Sequence, residues 1–179
     1  MLLPNVGYNP EDGVKLGFLY SSKRSTFVQD PYAAKHTIKG FYSFNTKGVE
    51  AEYAGHFPNA TNNWGFTLNA KATSPNFAVN YYGIGNETHY FDKEMGDEYK
   101  RVRIQSYAIA PGYKFQGKNG DSFEFNVEYK AMKVQDKANR FITSSPDLVD
   151  QKVFDFQQYG TIQATYDFQQ YNNVANPTK

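Results

Sequence analysis

The sequence predicts an all-β chain whose strands are antiparallel and connected up and down, and three observations lead to this prediction. Apolar and polar residues alternate with a period of two in several separate stretches, which is typical of strands with one apolar and one polar face. Turn-forming residues separate these stretches, and no stretch has the period of an amphipathic helix. Aromatic residues make up 17% of the 179 residues although the chain as a whole is polar, as expected where every strand has one face of each kind.

Seven strands are predicted, and they follow one another without a linker or a break in composition, so residues 1–179 are interpreted as a single β-barrel domain or the N-terminal half of one. An eighth strand is predicted if residues 76–82 form one. Short turns are expected at 45–48, 58–63 and 117–121, and longer connections at 74–98 and 135–152. The seven predicted strands are 14–20, 36–45, 49–57, 64–73, 99–115, 123–131 and 154–168.

The fifth predicted strand is ambiguous in phase. Val102 and Ile104 define one apolar face, whereas Tyr107 and Ile109 define the opposite one. Pro111 and Gly112 are therefore predicted to form a bulge that switches the phase.

Strand length and face chemistry favour a membrane barrel. The predicted strands run for about ten residues, which at a tilt of ~40° span about 25 Å, the height of the apolar band of an outer-membrane barrel. Charges lie near the middle of one face and are missing from the other, as expected where one face lines a hydrated lumen and the other meets lipid. The residues expected to face the lumen are Glu50, Glu52, Lys71, Glu124, Glu128 and Lys130. The residues expected to face lipid are Tyr53, Phe57, Trp64, Phe66, Leu68, Phe123, Phe125, Val127, Tyr129, Phe156, Ile162, Tyr166 and Phe168.

Composition narrows the possible chemistry. The chain has no cysteine, which excludes disulfides and thiolate sites, and its formal charge of +1 predicts no attraction for nucleic acid. His36, His56 and His89 are scattered without metal-ligand spacing, and no nucleophile motif is present, so no metal, cofactor or catalytic residue is predicted and an enzyme is not expected. No signal-peptide pattern follows Met1, so we expect the chain to belong to a longer protein.

Three segments carry a family resemblance. They are Pro4-Asn5-Val6-Gly7-Tyr8-Asn9-Pro10-Glu11-Asp12-Gly13, then Phe27-Val28-Gln29-Asp30-Pro31-Tyr32-Ala33-Ala34-Lys35-His36, and a mid-chain loop motif of Tyr82, Gly83, Ile84, Gly85 and Asn86 after Asn80-Tyr81. Together they resemble the barrel domain of the Omp85 superfamily, the BamA-like and TamA-like surface antigens. The branch that it resembles most is found in Bacteroidetes, where the barrel often follows a metallophosphoesterase-like domain.

This resemblance implies a 16-stranded outer-membrane barrel that inserts or translocates proteins or lipids, usually with POTRA modules upstream. The sequence departs from that pattern in two ways. It has no POTRA-like segment, and it lacks the Val/Ile-Arg-Gly-Phe/Tyr motif of the lumen loop, because Arg140-Phe141 has no glycine. Seven or eight strands would be the first half of such a barrel.

The expected function is thus assembly, insertion or translocation of outer-membrane proteins. The expected partners are outer-membrane lipid and lipopolysaccharide, other assembly proteins and the remainder of the barrel, and the expected location is the bacterial outer membrane. Two alternatives stay open at this point: a passive porin-like channel, and a soluble lipocalin-like β-barrel that binds a ligand, in which the apolar faces would form the core.

Overall fold

The computed structural model describes residues 1–25, 32–61, 63–83, 96, 98–117, 121–144 and 149–168. These residues form one antiparallel sheet in which each strand pairs with its neighbours in sequence, in the order β1 to β8. The prediction of an all-β, up-and-down chain is therefore confirmed. The strands are β1 (Leu2–Asn9), β2 (Gly13–Arg24), β3 (Ala34–Ser43), β4 (Val49–Thr61), β5 (Trp64–Asn80), β6 (Arg101–Gln116), β7 (Ser122–Val134) and β8 (Gln157–Asp167).

The sheet is open: within the described residues β1 and β8 are its two edges and do not pair with each other. Its two ends differ in their connections. At one end of the sheet β5 ends and β6 begins, as do β7 and β8, and the β1–β2 and β3–β4 turns lie there too; we call this the loop end. The connections after β2, β4 and β6 lie at the opposite end, which we call the turn end.

The structure has eight strands, but the eighth is not the one that the sequence predicted. The additional strand is β1, which pairs with β2 from Leu2 opposite Tyr20 to Asn9 opposite Gly13. The predicted strand at 76–82 is instead the last part of β5, which runs 17 residues without ending at Thr73. Residues 58–61, expected in a turn, belong to β4, and β8 begins at Gln157 rather than at Phe154.

The sheet curls toward its polar face. Lys15 on the polar face of β2 places its Nζ 4.3 Å from the ring centre of Phe77 on β5, although β3 and β4 lie between these strands in the sheet. Thr37 on the polar face of β3 and Glu128 on the polar face of β7 line one hollow, although three strands separate β3 from β7 in the sheet. Because side chains that meet across the curl come from the polar face, this face is concave and the apolar face is convex.

Strand β6 keeps one phase throughout, so the predicted phase switch at Pro111 and Gly112 is wrong. The register with β5 is unbroken from Trp64 opposite Phe115 to Thr73 opposite Ser106, and it shifts only before Phe77 opposite Ile104. That shift inserts two extra residues in β5, so each strand keeps the same side chains on each face. The apolar pattern changes face because the surroundings change at the loop end, not because the backbone bulges.

A small core covers the concave face at the loop end. Val102, Val134 and Ile142 are buried together there, against half-buried Val153 and Phe154. The connection between β7 and β8 supplies this cover through a one-turn helix, α1 (Phe141–Ser144), and a 3₁₀ turn (Gln151–Phe154), neither of which the sequence pattern predicts. None of the helices in the described residues is long and apolar enough to cross a membrane.

Two glycines allow close approach between β2 and β3. A Cβ on Gly17 would lie 2.0 Å from the carbonyl oxygen of Gly40, and a Cβ on Gly40 would lie 2.7 Å from Cε1 of Phe18. The Phe18 ring therefore covers the bare backbone of Gly40 on the convex face. This packing of an aromatic ring over a cross-strand glycine stabilises a curved sheet.

Candidate functional site: apolar belt and charged concave face

The convex face carries an apolar belt, which we define as the outward side chains of β2 to β8 between two rows. One row lies at the turn end and contains Trp64, Phe115, Phe123 and Tyr166, and the other contains Ala51, Ala72, Tyr107 and Ala131. Among the strand positions that the structure describes, the outward side chains within these bounds include no Asp, Glu or Lys, and the basic ones are His36 on β3 and Arg24 at the last position of β2. The predicted lipid-facing residues found on the belt are Tyr53, Phe57, Trp64, Phe66, Leu68, Phe123, Phe125, Val127, Tyr129, Ile162 and Tyr166.

Two predicted lipid-facing residues lie outside the strands. Phe156 precedes β8, with its ring centre 6.1 Å from that of Tyr107 and with Lys133 Nζ 5.0 Å above it. Phe168 follows β8 and lies 6.5 Å from the ring of Tyr166. Both rings therefore border the belt without belonging to a strand.

Aromatic rings crowd the turn end of the belt. Phe66 lies between Phe57 and Tyr113, with ring centres 5.9 and 5.7 Å away. In the next row the indole of Trp64 lies 5.2 Å from Phe115 and 6.4 Å from Phe123. These two adjacent rows form a continuous aromatic band across β4 to β7, the arrangement that membrane barrels place at the interface with water.

The belt ends abruptly toward the loop end. Beyond Tyr107 the outward side chains of β6 are Gln105, Arg103 and Arg101, while the inward ones are Ile104 and Val102. Lys133 follows Ala131 in the same way on β7. From Tyr107 to Phe115 the strand rises by ~26 Å, or ~20 Å along the normal at a tilt of 40°, close to the apolar band of an outer membrane.

The concave face carries paired charges of both signs. Lys71 Nζ lies 2.5 Å from Glu50 and 2.8 Å from Glu52, and Glu52 also pairs with Lys39 at 3.4 Å. The strand register places all six predicted lumen-facing residues on this face: Glu50, Glu52, Lys71, Glu124, Glu128 and Lys130. Sequence alternation identified this face but not which charges pair.

Two hollows lie along the concave face. One of about 320 Å³ is lined by Lys39, Glu52, Lys71 and Glu128 together with alanine and asparagine side chains. The other, of about 300 Å³, lies nearer the turn end. Both signs of charge line each of them, which is typical of a wet surface rather than of an apolar ligand cavity.

Asp12 joins three parts of the sheet at the loop end, a role that no sequence motif indicates. Its side chain is fully buried and pairs with Lys15 Nζ at 3.0 Å. Its carboxylate also accepts from Thr46 Oγ1 at 3.0 Å and from the N–H of Ala78 at 3.4 Å. The first hairpin, the β3–β4 turn and the end of β5 are thus held together by one carboxylate, which stabilises the curl.

Arg140, in the connection between β7 and β8, contacts Glu98, in the connection between β5 and β6. Arg140 is buried and donates to the carbonyl oxygen and to the carboxylate of Glu98. The hydrogen bond from Arg140, together with the positive charges of Arg140, Arg101 and Arg103, holds the pKa of Glu98 below its usual value, against a smaller opposing effect of burial. This contact lies outside the belt, where water can reach the carboxylate.

The structure describes two of the three histidines, His36 and His56, and each of them contacts a tyrosine hydroxyl. His36 bonds to the hydroxyl of Tyr53 at 2.9 Å and His56 to that of Tyr32 at 2.7 Å, while His89 lies outside the described residues. Within the described part of the chain no three metal-ligating side chains gather. Of the loop motif, Tyr82 and Gly83 are described, and Ile84, Gly85 and Asn86 are not.

The fold and these surfaces define a class of protein: a curled, open, antiparallel sheet that is apolar on its convex face and charged on its concave face. No protein-family model, curated protein or solved structure matches the chain. The functional argument therefore depends on the two faces themselves.

Proposed function

We propose that this chain forms part of a transmembrane β-barrel of the bacterial outer membrane, with the belt against lipid and the concave face along a hydrated lumen. The observation that carries the proposal is the direction of the curl, which turns the charges inward and the apolar side chains outward. A soluble lipocalin-like barrel requires the reverse, because its apolar side chains must fill the interior.

Exposure of the convex face supports the same proposal. Val6, Leu16 and Phe18 are each between 46% and 68% exposed, and Ile162 is 73% exposed. A soluble protein rarely leaves a contiguous apolar surface larger than a few hundred Å² in contact with water. Lipid would cover this surface without any change in the fold, and the aromatic band at the turn end would lie at the interface.

Within that class we propose an Omp85-like role in the assembly or translocation of outer-membrane proteins. This part of the proposal depends on the resemblance of three sequence segments and on an open sheet of eight strands, half the number that the superfamily uses. Its expected partners are lipid, lipopolysaccharide, other assembly proteins and the remainder of its own barrel.

A passive porin-like channel is a second candidate, and the charged hollows favour it. Paired Lys and Glu side chains along a concave face are compatible with the passage of water and small solutes. The two candidates differ in a measurable way. An assembly factor should accelerate the insertion of an unfolded barrel protein into liposomes, whereas a channel should conduct ions and change its ion selectivity when Lys71→Glu reverses the central charge.

Cell fractionation tests the membrane proposal itself. The protein that carries this sheet should stay with the outer membrane after high-salt and carbonate washing, and should migrate differently on a gel with and without heating. Release into the soluble fraction by carbonate would refute the proposal.

A further inference from the structure

A groove lies in the belt on the convex face, over β4 and β5. It has a volume of about 370 Å³, and its floor is formed by three alanines that stand between larger side chains of β3, β4 and β6. The outward side chains that line it are Ile38, Ala51, Tyr53, Ala70, Ala72 and Tyr107. Because all of them are apolar or aromatic, the groove offers a hydrocarbon chain more contact than a flat stretch of the belt would.

The two tyrosine walls of this groove are held in place by hydrogen bonds. The hydroxyl of Tyr53 bonds to Nδ1 of His36 at 2.9 Å. The hydroxyl of Tyr107 accepts from Nε2 of Gln105 at 2.5 Å. Each ring is thus fixed at its far end as well as at the backbone, so the groove is formed in advance and filling it costs little side-chain entropy.

A cation lies just beyond the loop end of the groove. On the convex face, Gln105 is the next outward position after Tyr107 on β6, and Lys133 stands opposite Gln105 on β7. The Nζ atom of Lys133 lies 5.0 Å from the ring centre of Phe156, and that ring centre lies 6.1 Å from the ring centre of Tyr107. The lysine is therefore one outward position past the groove wall, a step of ~7 Å along the strand.

The charge of Lys133 is not neutralised by a carboxylate. Within the described residues it makes no ion pair, neither with Asp136, which lines a polar hollow together with it, nor with Asp155, which precedes Phe156. The Phe156 ring covers one side of the ammonium group and leaves its other side able to donate. An apolar groove that begins beside such a cation complements a molecule with a hydrocarbon chain and an anionic head.

We propose that the groove holds one acyl chain of an anionic glycerophospholipid such as phosphatidylglycerol, with the phosphate against Lys133. This site rests on the proposed function, because it requires the belt to face lipid, and it adds a particular retained lipid to that function. One groove and one cation match a head with a single phosphate. Lipopolysaccharide, with several phosphates and several chains, would need more of both.

Quenching of tryptophan fluorescence by brominated lipids tests the site in vesicles. The groove reporter is Ile109→Trp in a Trp64→Phe background, because Ile109 pairs in register with Ala70 on the groove floor. The reporter away from the groove is the native Trp64 at the turn end of the belt. At the groove reporter we expect phosphatidylglycerol to associate about fivefold more strongly than phosphatidylcholine, the effect of one lysine on an anionic lipid. Trp64 should show little preference.

Two variants of the groove-reporter protein separate the head contact from the chain contact. Lys133→Gln should abolish the preference for phosphatidylglycerol, whereas Lys137→Gln, which removes another lysine of the same connection, should retain it. Ala72→Phe should fill the groove and also abolish the preference. Ala164→Phe places the same ring on the belt in β8, outside the groove, and should leave the preference unchanged. The mobility shift on heating confirms that each variant is folded.

Three results would overturn the lipid site: equal quenching by brominated phosphatidylethanolamine and phosphatidylglycerol, an unchanged preference in Lys133→Gln, or displacement of brominated phosphatidylglycerol by lipopolysaccharide more readily than by unlabelled phosphatidylglycerol. Failure of the membrane proposal has a different signature, because brominated phosphatidylcholine would then quench neither reporter. Quenching of both reporters without a preference at the groove would retain the proposed function and overturn the lipid site alone.

Discussion

Leu68 is the position at which the membrane proposal can be tested most sharply. It lies in the middle of the belt, four residues from Trp64 at one boundary and four from Ala72 at the other, with Gly55 and Pro111 as its cross-strand neighbours. If the belt faces lipid, Leu68→Lys places an ammonium near the midplane of the bilayer, which costs roughly 2–4 kcal/mol. The free energy of unfolding should fall by that amount.

The adjacent residue provides a matched control. Asn69 belongs to the same strand but lies on the concave face, where it lines the hollow that also contains Glu52 and Glu128. Asn69→Lys introduces the same charge into a hydrated site with carboxylates nearby. We expect a change of no more than about 1 kcal/mol, as is usual for an exposed charge.

Reversible urea unfolding in lipid vesicles measures both variants. Trp64 fluorescence reports the transition, and the difference in gel mobility between heated and unheated samples reports the folded fraction. Equal destabilisation by the two variants would refute the assignment of faces. Greater destabilisation by Asn69→Lys would mean that the concave face is the apolar-like interior, as in a soluble barrel.

Three further predictions concern the loop end and the sheet. Asp12→Ala should destabilise the fold by roughly 3 kcal/mol because it leaves a nearly buried lysine without its partner. Glu124→Gln removes a half-exposed ion pair and should cost less than about 1 kcal/mol. Urea unfolding compares the two variants, and equal costs would contradict the role given to Asp12. Gly17→Ala should cost about 1–3 kcal/mol because its Cβ would lie 2.0 Å from a backbone carbonyl oxygen. Gly7→Ala should be tolerated, because the nearest neighbour of its Cβ would be 3.9 Å away. An unchanged midpoint of urea unfolding for Gly17→Ala would show that β2 and β3 separate freely. Because the pKa of Glu98 is lowered in the folded chain, its contribution to stability is present above the pKa of the unfolded chain and is lost as the pH falls through the lower folded value. Hydrogen exchange in helix α1, corrected for intrinsic rates, should therefore become faster below pH ~4. Protection that is constant between pH 7 and ~3 would rule this out.

Period-two alternation predicted most of the sheet, because a strand with two unlike environments must alternate. It found the faces of β2 to β5, β7 and β8 and the six charges that share the concave face. It overlooked β1, in which Pro4 and Gly7 had the character of a loop. The signal was nevertheless present, since Leu2, Pro4, Val6 and Tyr8 alternate with Asn5, Gly7 and Asn9, and a proline is tolerated where β1 has a free edge.

The long connection between β7 and β8 explains the error about the phase of β6. The core at the loop end joins Val102 and Val134 to Ile142 of helix α1, and the sequence shows only that apolar residues change face along β6. A backbone bulge at Pro111 was the local explanation for this change. The actual cause is non-local, because the connection between β7 and β8 folds over the concave face and makes it apolar there.

The sequence by itself determined that the chain is a sheet of long strands with one charged and one apolar face, because that information is local and repeats along every strand. Only the tertiary structure decided which face is enclosed. Lys15 of β2 reaches the ring of Phe77 on β5 across the charged face, and this contact forms only when the sheet curls toward that face. The same alternation would suit a soluble barrel that curls the other way, so the direction of the curl carries the functional proposal.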